Sequence, residues 1–83
     1  MEACNDLIRW IGVTDLDNLD HAQGMAMVKG AIEAMEAVDD EPTVEMERAF
    51  ETLLAIHDHF TLGGLPAGPL RDFAERHKEL FLA

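Results

Sequence analysis

Apolar residues recur at helical spacing along nearly the whole of this chain, and glycine and proline break the pattern at a few points. No window alternates apolar and polar residues as a half-buried strand does, and β-branched residues are sparse. A recurrence at three and four positions places apolar side chains on one helical face, so the chain reads as helices joined by short connections. Short connections make consecutive helices antiparallel neighbours. The expected fold is all-α, a small three- to four-helix bundle over residues 1–83.

The first helix is expected from about Ala3 to Ile11, with Leu7, Ile8, Trp10 and Ile11 on its apolar side. Gly12 suits the position just past a helix end. Thr14, with Asp17 three residues on, offers a start for the second helix, and Asn18 is a rival cap. That helix then runs from Asp15 or Asn18 to Val38. At 100° per residue, His21, Gly24, Met25, Val28, Ala31, Ile32, Met35 and Val38 share an arc of roughly 140°.

Outside that arc, Ala22, Ala26, Gly30 and Ala34 form a ridge of small residues at spacing four. An interior glycine costs about 1 kcal/mol relative to alanine. Either the ridge is helix filler facing water, or another backbone approaches it closely. The second alternative makes these four residues a homodimer interface. A short chain is also marginal on its own, because it buries only roughly 60–65% of its unfolded surface.

The third helix is expected from Pro42 in its first turn, capped by Glu41, to Thr61. Met46, Ala49, Phe50, Leu53, Ile56, His57 and Phe60 share its apolar face, with Glu47, Glu51 and Asp58 opposite. Gly63 and Gly64 end it. Pro69 begins a fourth, carried by Leu70, Phe73, Ala74, His77, Leu80 and Phe81. Residues 18–38 and 42–61 thus form a long antiparallel helical hairpin with arms about 30 Å long.

Charge is the feature that bears on function. The formal net charge is −11. Residues 10–58 hold twelve acids against Lys29 and Arg48, whereas the two ends are close to neutral. Such a chain repels phosphate, which argues against nucleic acid as a direct ligand. Glu33, Glu36, Asp39, Asp40, Glu41, Glu45, Glu47 and Glu51 all fall near the closed end of the hairpin, opposed only by Arg48. Carboxylates three or four positions apart on a helix lie about 5–6 Å apart at Cβ. That is the scale of phosphate spacing along a nucleic-acid strand. The alternative is a surface that only keeps the chain in solution.

The other constellations are thinner. His21, His57 and His77 lie on apolar arcs, and helical rise puts His21 and His57 level at the open end of the hairpin, with His77 about 5–7 Å further along. Three histidines with Cys4 would suit zinc, but no C-x-x-C, H-E-x-x-H or Glu-x-x-His spacing occurs. "DLDNLDHAQGMA" fails as a calcium loop, with Asp20 at the required glycine and Ala26 at the required glutamate. The chain has no serine and no tyrosine. Cys4 has no evident base beside it, and "LGGLPAG" lacks the lysine of a phosphate loop.

No catalytic residue, metal or other cofactor is therefore expected, and no residue pattern identifies a family. One cysteine fits a reducing compartment, and no basic, then apolar, leader or long apolar run occurs, so a cytoplasmic location is expected. The favoured expectation is a non-catalytic interaction protein. It would be an inhibitor or adaptor whose acidic hairpin end occupies a basic, nucleic-acid-binding surface of a partner protein. Small acidic helical chains of this kind are common among phage and plasmid inhibitors of nucleases or CRISPR complexes. The alternative expectation is a small ligand- or metal-responsive regulator using His21 and His57.

Overall fold

The computed structural model describes residues 2–39 and 41–82, without the side chain of Leu82. Among these, four helices form: α1 (Glu2–Val13), α2 (His21–Glu36), α3 (Val44–Thr61) and α4 (Ala67–Leu82). Each helix packs on the next, and α4 closes the ring against α1. The two diagonal pairs do not meet. The fold is the expected helical bundle, in its four-helix form.

Side-chain contacts fix the directions. The Cys4 thiol at the start of α1 meets the Ala31 carbonyl, well along α2. His21, first in α2, meets the Phe60 carbonyl near the end of α3. Arg71, early in α4, pairs with Asp17 in the α1–α2 connection. Neighbours are thus antiparallel, and the α2–α3 hairpin is present.

Every helix contributes to one core. Leu7, Ile8 and Ile11 come from α1, Val28, Ala31 and Ile32 from α2, Leu53, Ile56 and Phe60 from α3, and Leu70 and Phe73 from α4. No polar or charged residue is fully buried among the described residues, although the Asn5 side-chain oxygen is enclosed without a hydrogen-bond partner. The core is held by apolar burial, at roughly 25 cal/mol per Å² removed from water. No helix among the described residues is long and apolar enough to cross a membrane.

The helix ends differ from expectation for local reasons. α1 runs through Gly12 to Val13. α2 starts only at His21, because Asp20 is its cap and accepts from the Ala22 and Gln23 amides at 2.9 and 3.3 Å. The rival caps are unavailable. Asp15 closes its own turn by accepting from the Asp17 amide and the Asn18 side chain, while Leu16 and Leu19 are buried and tie the connection to the core. Those two hydrogen bonds hold the Asp15 carboxyl below its usual range.

α3 starts after Pro42, not at it. Thr43 is the cap, its hydroxyl accepting from the Met46 amide at 3.2 Å, an acceptor that Glu41 does not supply here. α3 ends in a Schellman motif, with Gly64 N–H donating to the His59 carbonyl and Gly63 N–H to that of Phe60. Gly63 has φ +87°, a conformation that favours glycine. α4 begins at Ala67, two residues before Pro69. Proline is tolerated there because the first-turn N–H groups have no helical partner.

Candidate functional site

Where the connection between α2 and α3 closes, the two helices border an open cleft of about 460 Å³. Its floor is apolar: Met35 from α2, Val38 and Pro42 from the connection, and Met46 and Phe50 from α3. Met35 is buried, Met46 and Phe50 are half-buried, and Val38 is 38% exposed. The rim is acidic. Glu36 and Glu41 approach from α2 and the connection, and Glu47 and Glu51 from α3. No lysine or arginine lines the cleft.

The helical repeat explains the arrangement. Met46 and Phe50 are four apart and so stack along one edge of α3, while Glu47 and Glu51 run beside them one position on. Ala49, Leu53, Ile56 and Phe60 are the buried residues of this helix, and Met46 and Phe50 pack on the core only in part. The apolar stripe is therefore wider than the core, and its surplus faces the cleft. Thr43 caps α3 at the mouth and lines the cleft as well.

The eight acids singled out from the sequence divide. Glu36, Glu41, Glu47 and Glu51 converge on the cleft. Glu33, Asp39 and Glu45 are exposed but do not line it. Glu45 acts on His77 of α4. Asp40 lies outside the described residues. The apolar floor is what the sequence reading missed as a site. Met46 and Phe50 share the apolar face of α3 as their spacing predicts, pack partly against the core and also line the cleft, and the signal that marks them is the paired apolar and acidic rows at i, i+4.

The small-residue ridge lies at the surface. Ala22 and Ala26 are exposed, and Gly30 and Ala34 half-buried. A methyl group built on Gly30 would meet nothing within 4 Å. The other interior glycine is different. A Cβ on Gly24 would lie 2.8 Å from Phe60 Cζ and 2.9 Å from Leu19 Cδ1. The close approach at Gly24 is to a buried ring of the same chain.

The histidines do not gather with Cys4. His21 Nε2–H donates to the Phe60 carbonyl at 2.7 Å, and its ring meets the Phe60 ring edge-on at 5.4 Å. It serves to pin the start of α2 to the end of α3. His77 packs on Phe73, with ring centroids 5.3 Å apart, and feels the charge of Glu45 in the first turn of α3. Burial and Arg76 hold its pKa below the ordinary histidine value, with Glu45 opposing.

Cys4 is fully buried at the level of Ala31, about 15 Å of helical rise from His21. Burial pushes its thiol up to about 11, so it stays protonated at neutral pH and is a poor nucleophile or metal ligand. Among the described residues, no three of His, Cys, Asp and Glu are grouped to hold a metal ion.

Comparison with known proteins finds no matching family model, no matching curated protein and no matching solved structure.

Proposed function

We propose that this protein is a non-catalytic interaction protein, an inhibitor or adaptor whose acidic hairpin end binds a basic, nucleic-acid-binding surface of a partner protein. The observation that carries this reading is the convergence of Glu36, Glu41, Glu47 and Glu51 on one cleft that no lysine or arginine lines. Unneutralised carboxylates held on two packed helices attract cationic surfaces and steer association electrostatically. Glu33, Asp39 and Glu45, exposed on the same stretch of chain, add to the negative charge of residues 33–51. A phage- or plasmid-type inhibitor of a nuclease or a CRISPR complex fits this profile, and a cytoplasmic location goes with it. A homodimer through Ala22, Ala26, Gly30 and Ala34 belongs to the same reading. A sedimenting mass of 9.2 kDa that does not change with concentration would remove the dimer.

Affinity capture from an extract of the native host, with the parent chain and with an E36K/E47K/E51K variant, tests the function. The parent should retain a basic nucleic-acid-binding protein at low salt, and excess duplex DNA should displace it. The variant should not retain it. Equal retention by both chains would overturn the reading.

A further inference from the structure

We propose that the cleft between α2 and α3 is a docking groove for a basic amphipathic helix, which seats one or two apolar anchor side chains on Met35, Met46 and Phe50 while its lysines or arginines meet the acidic rim. This inference rests on the function proposed above and names how the partner is held.

The cleft itself argues for an anchor. Its volume of about 460 Å³ lies within the range of sites that bury an apolar group, roughly 300–1,000 Å³. An acidic surface that worked by charge alone would need no apolar floor. Here the floor is five apolar residues from two helices and the connection between them. Two of the five are methionines, whose unbranched side chains adapt to differing anchors.

The rim argues for the charge of the occupant. Carboxylates line the cleft from every segment that forms it, Glu36 from α2, Glu41 from the connection and Glu47 and Glu51 from α3. A helix with an apolar stripe bordered by cations matches both rows at once, its anchors spaced three or four positions apart. A second copy of this chain does not match, because it carries a net charge of −11 and would set acid against acid.

The test uses the full chain and a synthetic 14-residue peptide of leucine and lysine with leucines at helical spacing. One control replaces each leucine with serine at equal charge, and another replaces each lysine with glutamine. Titration calorimetry and methyl NMR read the outcome. The leucine–lysine peptide should bind at least about tenfold more tightly than either control and shift the Met35 and Met46 methyl resonances. Met46→Gln should weaken it about tenfold while leaving the helical melting curve in place.

Equal binding of the serine control would overturn the groove and leave the acidic-surface function standing. Equal binding of the glutamine control, methyl shifts elsewhere on the bundle, or no binding of the leucine–lysine peptide would also overturn it. Should Met46→Gln fail to fold, the methyl map of the parent chain still decides.

Discussion

Two glycines of one helix have opposite physical meanings. Gly24 is buried because the rigid Phe60 ring and Leu19 occupy the space a side chain would take. Gly30 has open space in the same place. Gly24→Ala gains about 1 kcal/mol of helix propensity but must displace a fully buried ring, a cost of about 1–3 kcal/mol. It should therefore destabilise the fold by up to about 2 kcal/mol. Gly30→Ala meets no such resistance within the chain, so it should stabilise an isolated bundle by about 0.5–1 kcal/mol, whereas the proposed homodimer, which seats a second backbone on the ridge, predicts a loss. Urea unfolding of the two variants followed by helical circular dichroism checks both signs. A fall in stability for Gly30→Ala would mean that another chain lies on the ridge. Phe60 is central to this end of the molecule in a second way, since its carbonyl takes hydrogen bonds from both His21 and Gly63.

α2 and α3 each start at a residue whose side chain caps them, Asp20 and Thr43. Asp20 satisfies two amides at the positively polarised start of α2, so Asp20→Ala should cost about 1 kcal/mol. Asp15→Ala, which loosens only an exposed turn, should cost less. A smaller loss for Asp20 than for Asp15 in the same unfolding measurement would contradict this assignment.

The helices themselves were legible in the sequence, because apolar periodicity reports which faces must be buried, and residues such as Leu53, Ile56 and Phe60 lie inward as their spacing requires. The starts were less legible. Thr14, Asn18 and Asp20 all have capping chemistry, and only the burial of Leu16 and Leu19 selects among them. The end of α3 was readable, since a Gly-Gly pair after an apolar run admits few alternatives. At the candidate site, the acids were visible as a run of charge, but their division between the cleft and other faces was not. Met46 and Phe50 pack partly on the core and also line the cleft, and periodicity reports the apolar face without telling which of its members stay partly exposed.

For the molecule as a whole, charge opposes the compact state. A net charge of −11 is held in a body whose extents are 36 × 24 × 18 Å. The Debye length falls from about 30 Å at 0.01 M salt to about 10 Å at 0.1 M, so salt should screen most of this repulsion. The ion pairs Asp6–Arg9 and Asp17–Arg71, both at 3.8 Å and exposed, are worth little and should not reverse the trend. The melting temperature should rise by several degrees between low salt and about 0.3 M sodium chloride, where 1 kcal/mol corresponds to about 4–8 °C. A flat or falling melting temperature would show that attractive pairs outweigh the repulsion.

The antiparallel ring also fixes where attachments emerge. Glu2 and Leu82 both lie at the end where the α2–α3 connection closes, so a label attached at either helix end starts from the same end of the bundle as the acidic mouth. The connector 62–66 is at the far end, where Leu62 and Leu65 are exposed, and a reporter inserted there leaves the mouth clear for a visiting molecule.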